Sequence, residues 1–189
     1  MRALMRTAAL ALAVAGLHGP ARADAWTVEE TASGTTSATV TASAQYGAHA
    51  APVAIRLQCQ PGADGTLSIL LIVRDPRFVP TFPFDAFEGP DAPANELALL
   101  RVEVGGAMVS FAYDLPTSGW YLDRNFIVAH AAPSAGDSPV RRIADAIVRG
   151  ATALTIGVRV PEDPSKALVA LVPLDGAGAA VGRATAGCL

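Results

Sequence analysis

Over most of its length the chain alternates apolar and polar residues with a period of two. That period fits a half-buried strand and excludes an amphipathic helix. The clearest run is Thr36 to Tyr46, where Ala38, Val40, Ala42, Ala44 and Tyr46 share one face and Thr39, Thr41, Ser43 and Gln45 the other. Val53, Ile55, Leu57 and Cys59 repeat the pattern, opposite Arg56, Gln58 and Gln60. After a turn at residues 61–65, Leu67 to Val73 is continuously apolar, as in a strand covered on both faces. Ala98–Val104 and Ala107–Tyr113 flank Gly105-Gly106, a dipeptide suited to the positive φ of a two-residue hairpin. Residues 116–119 read as a turn. Asn125–His130, Leu154–Val160 and Ala167–Val172 complete the set of strands.

Two segments break the period. Val140, Ile143, Ala144, Ile147 and Val148 recur at helical spacing, with Ser138 as N-cap, Pro139 at the first helical position and Gly150 to end the helix; Arg141, Arg142, Asp145 and Arg149 fall on its outer side. Beyond Leu174, Ala177, Ala180, Val181, Ala184 and Cys188 form a stripe on a weaker helix, with Asp175 as its cap. Gly176, Gly178 and Gly182 each lower its propensity by about 1 kcal/mol, so it needs tertiary support. The fold expected is mainly β: an antiparallel β-sandwich or barrel-like sheet with one amphipathic helix and a C-terminal helix.

The first 25 residues have the layout of a cleavable signal peptide. Arg2 and Arg6 supply charge, Ala8–Leu17 is apolar but short of a bilayer span, and Gly19-Pro20 precedes two small-x-small sites, 21–23 and 23–25. Residues 26–189 then form a single β-rich domain, periplasmic or secreted, with no integral membrane segment after cleavage and no cysteine placed for a lipid anchor. From Trp26 onward there are 11 Lys plus Arg and 16 Asp plus Glu, a net charge near −5, and Lys166 is the sole lysine. Nucleic acid is therefore not an expected partner, because phosphate neutralisation needs clustered cations.

Cys59 and Cys188 make an even count in an oxidising compartment, and two cysteines allow one bridge. Both sit on the expected core faces of their elements. A bond between them would close a loop of about 130 residues and stabilise by at most about 4–5 kcal/mol.

No G-x-S-x-G elbow occurs, and the histidines after residue 25 are His49 and His130. His130 has Asp123 and Asp137 nearby in sequence, but no serine carries a triad signature. Residues 74–96 hold five prolines, which bar a central strand, and Phe78, Phe82, Phe84 and Phe87. In that loop Asp85, Glu88 and Asp91 recur every third residue; the spacing is not that of a calcium loop, and no metal or cofactor is expected. Phe82, Phe84, Asp85, Phe87, Glu88 and Asp91 are candidates for a binding loop. Trp120 and Tyr121 are candidates for an aromatic contact with a partner. Glu162 and Asp163 read as a surface connection.

The order of landmarks resembles a family of bacterial periplasmic accessory proteins linked to type VI secretion loci. The matching pieces are Trp26-Thr27-Val28, then residues 55–59 ending in Cys59, then 109–114 followed by Trp120, and last 172–176 with Ala179-Ala180 and Cys188. Gln58 and the proline-rich stretch at 74–96 depart from the pattern. The resemblance implies a disulfide-stabilised envelope β-domain with no catalytic residues. The expected function is a non-catalytic exported domain that binds another envelope protein, as an accessory of secretion. The alternatives are an inhibitor of a wall-degrading enzyme such as lysozyme, with the 80–93 loop inserting into the cleft, and a hydrolase using Asp85, Glu88 or Asp91.

Overall fold

The computed structural model describes residues 25–62, 65–87, 98–104, 107–113, 117–121 and 124–189. The leader segment to residue 24, Glu88, Asp91, Gly105, Gly106, Asp114 and Asp123 therefore lie outside the described residues.

Among the described residues ten strands form one sheet: β1 (Thr27–Glu30), β2 (Thr36–Tyr46), β3 (His49–Gln60), β4 (Thr66–Val73), β5 (Ala98–Val104), β6 (Ala107–Tyr113), β7 (Thr117–Tyr121), β8 (Asn125–Pro133), β9 (Ala153–Val160) and β10 (Asp163–Val172). Two helices accompany it, α1 (Pro139–Val148) and α2 (Ala177–Thr185). Every strand pair is antiparallel, in the order β6-β5-β9-β10-β2-β3-β4-β8-β7. The sheet is not closed: β6 and β7 stand at its two ends.

The sheet nevertheless curls. Helix α1 touches both β5 and β8, which are six steps apart in the strand order. At about 4.8 Å per step that separation is about 29 Å in a flat sheet. A ten-residue helix is about 15 Å long and about 10 Å wide, too small to bridge it. The concave face carries the core: Val53, Ile55, Leu57 and Cys59 of β3, Leu67, Ile69, Leu71 and Val73 of β4, and Leu154, Ile156 and Val158 of β9. In β4 the opposite face is only half-covered at Leu70 and Ile72, so the unbroken apolar run marks one buried face and one partly wet one.

Strand β2 has an edge shared by two neighbours. β1 pairs with Thr36–Thr39 and β10 with Ser43–Gln45. Trp26 lies at the junction, 9% exposed, and its indole N–H donates to the Pro173 carbonyl at 2.8 Å. The four-residue β1 has too few positions to show a period. The turn expected at 116–119 is instead mostly β7, whose Ser118 and Gly119 pair with Val128 and Ile127; ladder hydrogen bonds outweigh the local turn preference.

The helices cover one end of the curl. For α1 the expected signals hold: the Ser138 hydroxyl accepts from Arg141 N–H at 3.2 Å and Pro139 occupies the first turn. At its other end Gly150 has φ 94°, and the bonds Ala151 N–H to Ala146 O and Gly150 N–H to Ile147 O form a Schellman motif. Arg141 is not on the solvent side as expected. It reaches the carbonyl oxygens of Ser134, Cys188 and Leu189 and fastens the last residues to α1. Helix α2 has Gly176 as N-cap, with φ 74° and no side-chain cap, so Asp175 does not serve. Cys188 lies in the turn after α2, its N–H donating to Thr185 O at 2.8 Å.

The disulfide joins Cys59 of β3 to Cys188, with a Cα separation of 5.8 Å. Gly176 lies outside α2 as its N-cap, and the two glycines within the helix approach α1: a Cβ on Gly178 would come 3.3 Å from the Ile147 carbonyl oxygen, and one on Gly182 would make ordinary contact with Val148 at 3.7 Å.

Two outcomes follow. Gly182→Ala should raise stability by about 0.5–1 kcal/mol, whereas Gly178→Ala should gain less or lose, because a backbone carbonyl must move; paired denaturant titrations measure the difference. Replacing both cysteines by serine should lower stability by about 2–4 kcal/mol, and alkylation of the native protein without reductant should label neither sulfur.

Candidate functional site

The other end of the curl is plugged by aromatic rings. β2 ends there at Tyr46, β4 at Val73, and β8 begins there at Asn125, with Phe126 opposite Val73. The chain leaving β4 turns back over this opening in two short 3₁₀ turns, Pro76–Phe78 and Phe84–Phe87. Phe82, Phe84 and Phe87 are buried beneath them. Phe82 meets Tyr46 edge-on at 5.2 Å and stacks with Phe87 at 5.6 Å, while Phe84 packs on Phe126 at 4.9 Å. The Ser118 hydroxyl donates to Phe87 O at 2.6 Å and ties the loop to β7. The three candidate phenylalanines are thus occupied with packing, and Asp85 between them is exposed. Glu88 and Asp91 lie outside the described residues, and so does the side chain of Tyr121.

Trp120 differs from its neighbours. Its ring lies 5.8 Å from Phe84 and 5.6 Å from Phe126, yet it remains 39% exposed. Trp120 forms one wall of an open recess of about 640 Å³, lined also by Arg74, Asp75, Pro76, Arg77 and Arg124.

The residues around it are held by simple local devices. The Arg74 N–H donates to Pro52 O at 3.1 Å, which carries the chain one residue beyond β4. Asp75 then caps the first 3₁₀ turn by accepting from Arg77 N–H, and Pro76 supplies its first residue. The same carboxylate takes the Arg77 guanidinium in a two-point contact, Nε to Oδ1 at 2.8 Å and Nη2 to Oδ2 at 2.7 Å. Arg124 enters from the β7–β8 hairpin, next to the Tyr121–Asn125 pair.

The electrostatics follow from this pairing. The side-chain hydrogen bonds from Arg77 hold the Asp75 carboxyl below its ordinary range, so it is charged at neutral pH. A depressed carboxyl pKa keeps the pair intact above the ordinary carboxylate range and releases it as pH falls through the lowered value. Arg74 and Arg124 are exposed and have no side-chain hydrogen bond or ion pair among the described residues. Among the described lining residues three arginines stand against one aspartate, in a chain whose formal net charge is −3.

The other sequence candidates disperse. Asp137 is taken by Arg142 rather than His130, with Nε to Oδ1 at 2.7 Å. Asp163 holds Ser165 and Lys166 at the β9–β10 turn. Among the described residues no group of three His, Cys, Asp or Glu side chains is placed to hold a metal ion, and no helix is long and apolar enough to cross a membrane. Sequence reasoning found Trp120 but missed Arg74, Arg77 and Arg124. The available signal was the Arg-Asp-Pro-Arg run at a strand exit, where a capping aspartate spends its charge on one arginine and leaves the other. No family model, curated protein or solved structure matches this chain.

Truncating Phe84 removes the support under the indole. Phe84→Ala should cost about 3–4 kcal/mol and shift the Trp120 emission to longer wavelength, read by denaturant unfolding and by fluorescence against a Trp120→Phe blank.

Proposed function

We propose that this chain is an exported, non-catalytic binding domain that engages an anionic component of the cell envelope through the recess beside Trp120. The observation that carries this reading is the collection of positive charge around an exposed indole in an otherwise acidic chain. Unpaired guanidinium groups at the mouth of a hollow cost self-repulsion unless something answers them, and a counter-charged ligand does so. A partly exposed aromatic ring packed against other rings is the kind of anchor that binding sites use.

The disulfide and the signal-like leader support a place outside the cytoplasm, since such bonds persist where thiols oxidise. A role in a secretion apparatus rests on the sequence resemblance. The recess is favoured over the 80–93 segment as the contact surface, because Phe82, Phe84 and Phe87 are already buried and have little apolar area left for a partner.

The test is co-sedimentation of the purified protein with envelopes from the cells that make it. Wild type should sediment at low ionic strength and be released by salt. Arg74→Gln combined with Arg124→Gln should weaken the association by about tenfold or more, with an unchanged unfolding midpoint. Equal sedimentation of the two proteins would remove the recess from the account.

A further inference from the structure

We infer that the ligand of this recess is an anionic sugar, a carboxylate- or phosphate-bearing glycan unit that stacks on Trp120 and is gripped by Arg74 and Arg124. The inference rests on the binding reading above and adds to it the chemistry of the ligand.

Hydrogen-bonding capacity supplies the first argument. An arginine side chain donates and accepts nothing. The acceptor side chain on the wall is Asp75, and both of its oxygens are engaged by Arg77. A ligand seated here must therefore be rich in acceptors. Carboxylate and phosphate groups are the acceptors that match a guanidinium fork, with two parallel bonds each. A neutral sugar offers hydroxyl acceptors without charge and so forgoes the charge-assisted part of these bonds.

The second argument is shape. The indole packs against Phe84 and Phe126 at tilted and edge-on angles and lines the hollow with a rigid, partly exposed apolar surface. A pyranose ring presents a comparable face of C–H bonds, and such contacts are individually weak but additive. The volume, about 640 Å³, suits one or two sugar rings and lies within the ordinary range for small-ligand sites.

An acidic peptide held by its side chains alone fits less well, and one paired along β7, at the end of the sheet, is left to the peptide arm of the titrations. Peptide recognition draws on pockets for apolar side chains or on pairing with a strand edge. Apart from the indole, the apolar contribution to this wall is Pro76, whose ring is itself buried.

The experiment is a set of titrations of the whole protein, followed by Trp120 fluorescence and by calorimetry. The probes are a glucuronate oligosaccharide, glucose 6-phosphate, glucose, inorganic phosphate and a glutamate-rich peptide. The expected result is saturable binding of at least one of the two charged sugars, weaker in high salt. Arg74→Gln and Arg124→Gln should each weaken it by about tenfold. Arg149→Gln, at an exposed helix end, should leave it unchanged, and Trp120→Phe should abolish the fluorescence response. The two charged-sugar arms separate a carboxylate source from a phosphate source.

Equal affinity for glucose would overturn the inference. So would inorganic phosphate binding as tightly as the sugar phosphate, binding of the acidic peptide alone, or no binding of any probe. Envelope sedimentation that still depends on Arg74 and Arg124 while the sugar titrations fail would reject the ligand class and leave the binding reading standing. Failure of both would reject both.

Discussion

The bond between Cys59 and Cys188 joins the middle of the sheet to the turn that follows the last helix, 129 residues later. Much of the architecture depends on that join. An open sheet that curls without closing has a concave apolar face and two exposed ends, and something must cover both. Helix α2 covers part of one end, yet it is nine residues long, has no side-chain cap and contains glycines that oppose helix formation. It would not persist alone. The covalent tie, the reach of Arg141 to the carbonyls of Cys188 and Leu189, and the close approach to α1 hold it in place together. The glycines make sense in this setting: they cost local propensity and permit two short helices to lie nearly backbone to backbone.

The opposite end is covered by different means. Among the described residues a folded-back loop fills it with Phe82, Phe84 and Phe87, packed edge-on and at a tilt against Tyr46 and Phe126. Rings suit this task because each buries a large apolar area with few rotatable bonds. The arrangement also builds the recess. The aspartate that caps the loop's first turn, the arginine that pairs with it and the indole that leans on Phe84 are all parts of the plug, and they are also the walls of the hollow. Cover and site are one construction, so changes to the plug will be felt at the site.

The two ends differ in how well local sequence announced them. Alternation placed β2, β3, β9 and the core-facing side of each. Ser138, Pro139 and Gly150 bracketed α1, and their signals are local enough to survive any tertiary context. The register of β7 was not legible, because Thr117-Ser118-Gly119 resembles a turn until β8 lies beside it. Strand β1 escaped for a related reason: four residues, two of them glutamates, become a strand only because half of one β2 edge is left free by β10.

By itself, the sequence determined that the chain forms antiparallel strands with one apolar face, that one capped helix interrupts them and that two cysteines face the core. These are properties of neighbouring residues, set by side-chain period, cap chemistry and backbone preference, and they need no knowledge of what lies across space. Only the tertiary structure decided that the sheet curls without closing, that phenylalanines from a proline-rich loop plug one end, and that Arg74 and Arg77 meet Trp120 and Arg124. Those residues are more than forty positions apart along the chain, and the strand register that brings them together is the result of packing the whole concave face, a sum over many weak contacts that no short window of sequence contains.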